Sequence, residues 1–76
     1  MNIMDQLREN LRVKHIRNLF LKHIKRGYTF ILEEDYKFVL EKFGTMSYFT
    51  AHFVDWHIRI DKVYTLRDGT KCVHFH

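Results

Sequence analysis

The stretch IMDQLRENLRVKHIRNLFLKHIKR, residues 3–26, decides the fold because it predicts one long helix, or two helices joined at a kink. At ~100° per residue, its first large apolar residues share one side of that helix. From residue 13 onward, a second set recurs at spacings of three and four on roughly the opposite side. The first stripe is Ile3, Met4, Leu7 and Leu11, and the second stripe is Val13, Ile16, Phe20 and Ile24.

Two explanations remain open for this change of side. Either the helix breaks near Arg12, so that both stripes face one core, or it continues and a partner chain covers one stripe. A chain of 76 residues has little else with which to cover two faces. The second explanation is therefore favoured, and it predicts a homodimer. The predicted self-association residues are Ile3, Met4, Leu7 and Leu11.

The same stretch carries most of the positive charge. Residues 1–27 hold seven of the thirteen Lys and Arg residues, but two of the nine acidic residues. A basic strip opposite the second stripe suits phosphates or an acidic protein surface, whereas the simpler interpretation is a solvated helix face. The predicted partner-binding residues, on the strip or at its margin, are Arg8, Arg12, Lys14, His15, Lys22, Lys25 and Arg26.

The composition predicts one small domain spanning residues 1–76. It is 46% hydrophobic and 16% aromatic, with no proline and a formal net charge of +4. The single cysteine, Cys72, excludes an internal disulfide. Charged residues interrupt every apolar run, so neither a signal peptide nor a membrane span of ~20 residues is expected. These features favour a soluble protein of the reducing cytoplasm, with no membrane partner.

A second helix is predicted for about residues 32–43. Its first turn is acidic, which suits the positive end of the helix dipole. Gly44 follows its last residue and is a typical helix stop. Residues 28–31 could begin this helix or form a brief strand. The apolar face of the helix consists of Leu32, Tyr36, Val39, Leu40 and Phe43.

After Gly44 the residues favour strands, first in 46–53 and then in an alternating run around 56–61. The Asp68-Gly69 pair predicts a hairpin, because both central residues of a type I′ turn need positive φ. A two-residue loop places Tyr64 opposite Val73. The face expected to contact the helices then holds Tyr64, Leu66, Val73 and Phe75. The sequence thus predicts an α+β fold, two N-terminal helices packed on a small antiparallel sheet.

The connection around Asp61-Lys62 stays open. A tight turn there would put Ile58, Ile60 and Val63 on the face away from Tyr64. A longer loop, a bulged strand or a sheet covered on both faces would each resolve this conflict.

Chemistry-bearing residues are few. Cys72, His74 and His76 alternate along one strand, and with His52 or His57 they are weak candidates for a zinc site. Scattered exposed histidines are the simpler interpretation. Cys72 paired with a histidine is conceivable as a nucleophile, but no orienting group or phosphate loop accompanies it. No catalytic residue and no cofactor are therefore predicted.

The aromatic residues of the third quarter of the chain have two interpretations. They could stack on nucleic-acid bases, or they could form the core, which is more common at such spacing. They are Tyr48, Phe49, Phe53 and Trp56, with His52, His57 and Arg59 nearby.

In overall make-up, the chain resembles the short early proteins with which lytic bacteriophages disable a host machine. The shared features are one small domain, many Lys and aromatic residues and no catalytic signature. The resemblance implies host takeover by occlusion of a replication or transcription protein, such as the sliding clamp or RNA polymerase. It carries no residue roles.

The expected function is a non-enzymatic inhibitor or adaptor that acts by protein–protein contact, as a homodimer. The alternative is a small DNA- or RNA-binding regulator that uses the basic strip of the first helix on phosphates.

Overall fold

The computed structural model describes residues 3–76 and confirms the α+β class. These residues form three helices and one three-stranded antiparallel sheet. In chain order the elements are α1 (Ile3–Lys22), β1 (Tyr28–Ile31), α2 (Glu33–Phe43), α3 (Met46–Phe53), β2 (Ile60–Thr65) and β3 (Lys71–Phe75).

The helix α1 runs without interruption through Arg12, so the break that would have turned both stripes towards one core is absent from the described residues. It ends at Lys22, four residues before the predicted end. The second stripe reaches the core through Ile16 and Phe20, which are buried. The first stripe, in contrast, lies in solvent.

Gly27 joins α1 to the sheet. Its N–H donates to the His23 carbonyl at 3.2 Å, and its carbonyl accepts the Phe75 N–H at 2.8 Å. A Cβ on Gly27 would lie 3.0 Å from the Phe75 carbonyl oxygen, and its φ of 76° is one that side chains disfavour. The chain therefore needs glycine here to bring α1 against β3.

The prediction of strand structure for residues 46–53 was wrong, because these residues form α3. The Thr45 hydroxyl accepts the Tyr48 N–H at 3.0 Å and thereby caps the helix. Met46, Phe49 and Thr50 recur at helical spacing and are buried. The predicted second helix is confirmed as α2, and the open segment 28–31 is a strand.

The sheet has the order β1-β3-β2, and its β2–β3 hairpin has a different register from the predicted one. Tyr64 lies opposite Cys72, whereas a two-residue loop would have put it opposite Val73. A shift of one residue exchanges the two faces of a strand. Tyr64 therefore lies on the face away from the helices. Val63, and not Tyr64 as predicted, lies opposite Val73 on the face towards the helices.

A longer loop causes this change of register. The Leu66 N–H donates to the Thr70 carbonyl at 2.8 Å, and the Gly69 N–H donates to the Leu66 carbonyl at 3.0 Å. The loop thus holds three residues, 67–69. Of these, only Gly69 has positive φ, 90°, while the Asp68 carboxylate accepts the Thr70 N–H at 2.9 Å. This arrangement replaces the predicted type I′ turn.

The open connection around Asp61-Lys62 is a continuous strand with an irregularity between Ile60 and Lys62. The extra residue allows Ile60 and Val63 to share the core side despite their odd spacing. Of the alternatives, the bulged strand is therefore the one present.

The core lies between the sheet and the helices, which pack on one of its faces. Its buried apolar residues are Ile16, Phe20, Ile31, Val39, Met46, Phe49, Ile58, Val73 and Phe75. Along β1, Thr29 and Ile31 are buried whereas the alternating neighbours are not. The second face of the sheet is consequently left without a covering layer among residues 3–76.

Candidate interaction surfaces

The solvent side of α1 is apolar at its start and basic further along. The four residues of the first stripe are between 55% and 75% exposed. At ~100° per residue, Lys14, His15 and Lys22 continue the same side towards the end of the helix, and all three are exposed. The predicted self-association residues and part of the predicted basic strip therefore share one surface, which we call the α1 outer face.

The predicted basic residues separate into two groups. Arg8, Lys14, His15, Lys22 and Lys25 are exposed. The other two arginines have contacts within the chain, each described below. Arg17 is also exposed on α1, although the prediction omitted it.

Arg12 links α1 to α2. Its Nε donates to Asp35 Oδ1 at 2.9 Å, and one Nη donates to the Glu34 carbonyl at 2.9 Å. The guanidinium also lies 4.5 Å from the centre of the Phe38 ring. A second ion pair joins the same two helices, because Lys42 Nζ is 2.7 Å from Glu9 Oε2. Both contacts hold the helices together on the side away from the α1 outer face.

Arg26 lies beyond the end of α1 and contacts the sheet. Its guanidinium carbon is 4.3 Å from the centre of the Tyr28 ring and 6.0 Å from that of Phe30. Its Nε donates to the Tyr28 carbonyl at 2.8 Å. Nearby, partial desolvation and the charges of Arg26 and Lys22 lower the pKa of His23. The positive charge at this end therefore comes from Lys and Arg rather than from His23.

The uncovered face of the sheet carries two cross-strand rows, and we call these six residues the sheet outer face. The register aligns Phe30, Cys72 and Tyr64 in one row, and Tyr28, His74 and Lys62 in the other. The rings contact one another. His74 is stacked on Tyr28 and meets the edge of Tyr64, with 5.4 Å between ring centres in each case. The Phe30 ring meets Tyr28 edge-on at 6.0 Å.

Phe30 and Tyr64 are the most accessible rings of the sheet outer face, at 46% and 49% exposed. Between them lies Cys72, which is small and buried. Leu32 and Leu66, each two residues further along the chain from one of these rings, are also exposed. A large apolar and aromatic surface thus borders Arg26 and Lys62.

The predicted trio of Cys72, His74 and His76 is only partly brought together. Cys72 Sγ is 3.6 Å from His74 Nε2. His76 instead contacts Asp61, with 2.7 Å between Nδ1 and Oδ1. Within residues 3–76, no group of three or more His, Cys, Asp or Glu residues is placed to hold a metal ion.

The two other histidines considered for this site lie elsewhere. His52 is stacked on Tyr48, with ring centres 4.0 Å apart. His57 Nδ1 is 3.1 Å from Asp55 Oδ1, and the His57 N–H donates to the same oxygen at 2.8 Å. These two hydrogen bonds lower the pKa of Asp55. Neither histidine completes a site with Cys72.

The aromatic residues of α3 and the segment after it divide between core and surface. Phe49 is buried and contacts Phe20, whereas Tyr48 and Trp56 are exposed. His52 connects these two exposed rings, since it stacks on Tyr48 and meets Trp56 edge-on at 5.6 Å. The core interpretation is therefore confirmed for Phe49, whereas Tyr48 and Trp56 lie on the surface.

A shallow groove of about 210 Å³ lies between Ile24 and the segment from Asp55 to Ile58. Ligand pockets usually measure ~300–1,000 Å³, so this groove is small for a substrate site. The extended surfaces of α1 and the sheet are accordingly the stronger candidates for function.

Comparisons of the chain with models of protein families, with curated proteins and with solved structures gave no match. No helix in residues 3–76 is long and apolar enough to cross a membrane.

The sheet outer face was missed by the sequence prediction because the hairpin register was off by one residue. That error assigned Tyr64 to the core and separated it from His74. One signal was present in the sequence: Tyr28 and Phe30 alternate with Thr29 and Ile31, so one pair had to face away from the core.

Proposed function

We propose that this protein is a non-enzymatic inhibitor or adaptor of the cytoplasm that works by protein–protein contact. It forms a homodimer through the apolar start of the α1 outer face. The basic residues further along hold an acidic surface of a replication or transcription protein and occlude it. The observation that carries the proposal is the exposure of Ile3, Met4, Leu7 and Leu11 on an uninterrupted helix.

The energetic argument concerns solvent contact of large apolar side chains. Burying a side chain such as Leu contributes about 1.5–3 kcal/mol, so four exposed neighbours form a surface that a partner can cover favourably. The described part of the chain cannot cover it, because Arg12 and Glu9 tie α2 to the other side of α1. A second copy supplies the same stripe, as a two-fold symmetric interface requires.

Self-association is tested by light scattering after size exclusion. The double variant Leu7→Asp/Leu11→Asp is expected to keep its circular dichroism spectrum and to elute as a monomer, whereas the wild type elutes as a dimer. Leu32→Asp is the matched control, because Leu32 is 54% exposed but directly precedes α2 and is not part of α1. A wild type that is monomeric up to high micromolar concentration would refute the dimer.

Partner binding is tested with purified sliding clamp and purified RNA polymerase by biolayer interferometry, alongside primer-extension and transcription assays. Lys14→Glu/Lys22→Glu is expected to weaken binding, mainly through a slower association rate. Lys37→Glu, an exposed lysine of α2 that pairs with Glu33, is the control and is expected to bind as the wild type does. Equal binding by the wild type, Lys14→Glu/Lys22→Glu and Lys37→Glu would contradict a role for the basic residues of α1.

The alternative function, phosphate binding by the same basic strip, predicts a different salt dependence. Affinity for duplex DNA would fall with a log–log slope of about −0.9 for each phosphate contacted. The contacts of Arg12 with Asp35 and Glu34 leave one cation fewer on α1 for this purpose. Loss of duplex binding in Lys14→Glu/Lys22→Glu, with no clamp or polymerase binding by the wild type, would favour this alternative.

A further inference from the structure

We propose that the sheet outer face is a second binding surface whose ligand is single-stranded nucleic acid. Bases stack on Phe30 and Tyr64, while Arg26 and Lys62 hold the phosphates. This surface is separate from the α1 outer face, so the inference goes beyond the proposed function and does not depend on it.

The first argument is the composition of this face. Antiparallel sheets with one side in water usually place polar residues on that side. Here four of the six positions carry rings, namely Tyr28, Phe30, Tyr64 and His74. The helices cover only the opposite face, where Ile31 and Val73 are fully buried. The rings therefore remain accessible without serving the core.

The second argument is the spacing of the two most exposed rings. Neighbouring strands lie ~4.8 Å apart, so the backbones of Phe30 and Tyr64 are about 10 Å apart across β3. The intervening residue on β3 is Cys72, which is small and carries no ring of its own. Two rings on a sheet surface form a platform for successive unstacked bases, because every base has a flat face that stacks on an aromatic side chain.

The third argument is charge. Arg26 lies over Tyr28 and approaches Phe30, at the β1 edge of the sheet. Lys62 lies on β2, the opposite edge strand, where it pairs with His74. Neither row contains a carboxylate. The net charge of the chain is +4. Cations on both sides of an aromatic platform match a strand that alternates bases and phosphates. Bases stacked inside a duplex cannot reach such a platform, so the ligand is single-stranded.

The test measures fluorescence anisotropy of labelled 12-nucleotide oligothymidine and oligouridine, and of a 12-base-pair duplex, with the full chain. The wild type is expected to bind the single strands more tightly than the duplex. Phe30→Ala and Tyr64→Ala should each weaken single-strand binding by roughly 5- to 100-fold. Tyr48→Ala is the matched control, since Tyr48 is 48% exposed but lies on α3, and it should leave the affinity unchanged.

A second pair of variants keeps the test decisive if an alanine variant unfolds. Tyr64→Phe retains the ring and is expected to bind like the wild type, while Lys62→Glu is expected to bind several-fold more weakly than Lys37→Glu. Circular dichroism and thermal melting establish that each variant is folded.

The proposal would be overturned by undetectable binding of both single strands at micromolar protein, by tighter binding of the duplex, or by equal affinity of wild type, Phe30→Ala and Tyr64→Ala. A loss of binding confined to Lys14→Glu/Lys22→Glu would likewise assign the nucleic acid to the α1 outer face. Binding of a purified protein in place of the oligonucleotides, lost in Tyr64→Ala, would identify a protein ligand and reject this one.

Discussion

Thr29 is fully buried on the core side of β1, and in residues 3–76 its hydroxyl has no hydrogen-bond partner. An unpaired buried hydroxyl costs about 1–3 kcal/mol of desolvation. Thr29→Val removes this group and keeps the branched shape, so we expect it to raise the free energy of unfolding by about 1 kcal/mol, as measured by urea denaturation.

Thr50→Val is the control for this substitution. Thr50 is equally buried, but its hydroxyl donates to the Ser47 carbonyl at 3.2 Å. The same chemical change should therefore lower the stability or leave it unchanged. If Thr29→Val destabilises as much as Thr50→Val, the Thr29 hydroxyl has a partner in solution.

Asp68 makes the hairpin loop sensitive to acid. The Thr70 N–H donates to its carboxylate, and this hydrogen bond lowers the pKa of Asp68 below 3.8. A carboxyl group with a depressed pKa in the folded state stabilises that state above its unfolded pKa, and this contribution is lost as pH falls through the folded pKa. Asp68→Ala should therefore lower the melting temperature at neutral pH, and the difference from wild type should shrink below pH 3.8.

Asp68→Asn separates charge from hydrogen bonding. The amide oxygen can still accept the Thr70 N–H, so this variant should melt close to the wild type at neutral pH. A difference between wild type and Asp68→Ala that stays constant through the acid range would rule out the titration of Asp68 as its cause.

At the scale of elements, the contact between α1 and α2 depends on Arg12. Asp35 is 7% exposed, so removal of its partner leaves a nearly buried carboxylate without its ion pair. We expect Arg12→Met to lower the free energy of unfolding by about 1–3 kcal/mol in urea denaturation. Lys42→Met, which breaks a more exposed pair, should cost about 0–1 kcal/mol.

The double variant Arg12→Met/Asp35→Leu tests this explanation. Replacing both partners by apolar residues removes the uncompensated charge, and much of the lost stability should return. A double variant that is as unstable as Arg12→Met would show that Arg12 acts mainly through its contact with Phe38.

The elements differ in how far sequence predicts them. The helices α1 and α2 follow from periodicity, because their apolar residues recur at helical spacing over several turns. The short helix α3 was hidden by the strand preference of Tyr and Phe, although the Thr45 cap and the spacing of Met46 and Phe49 were visible. In this segment, packing against the core outweighs the intrinsic strand preference of the residues.

The two candidate surfaces also differ in how far the sequence predicts them, because one depends on a single helix and the other on the pairing of strands. The α1 outer face follows from one helix and its periodicity, so its exposed apolar residues were identified correctly as a separate stripe. The sheet outer face depends on the register of the β2–β3 hairpin, and one additional loop residue shifts that register by one position. Neither the spacing of Asp68 and Gly69 nor β propensity distinguishes a two-residue loop from a three-residue loop.

At the scale of the molecule, Phe20 connects three elements. It is fully buried, and its ring centre lies 5.2 Å from that of Phe75 and 6.4 Å from that of Phe49. Removing a buried Phe side chain costs about 3–5 kcal/mol, and a domain of this length has roughly 4–11 kcal/mol in total. Phe20→Ala should therefore be largely unfolded at 37 °C by circular dichroism.

Phe53→Ala is the comparison for Phe20. The Phe53 ring contacts Phe43 and Phe49 but is 36% exposed, so its loss should cost roughly 1–2 kcal/mol and leave the protein folded. Equal effects of the two substitutions would mean that the core is not centred on Phe20.

The central position of β3 has a consequence for the protein while it is being made. Among residues 3–76, both outer strands pair only with β3, which follows them in the chain. On the ribosome, β1 emerges well before its partner, and Phe20 has no Phe75 to contact. The β2–β3 hairpin closes a short loop, but the pairing of β1 with β3 must close the whole segment between them, which costs more conformational entropy. The complete sheet therefore forms late. A nascent chain that stalls before residue 71 exposes aromatic strands without partners, and chaperones and proteases act on such chains.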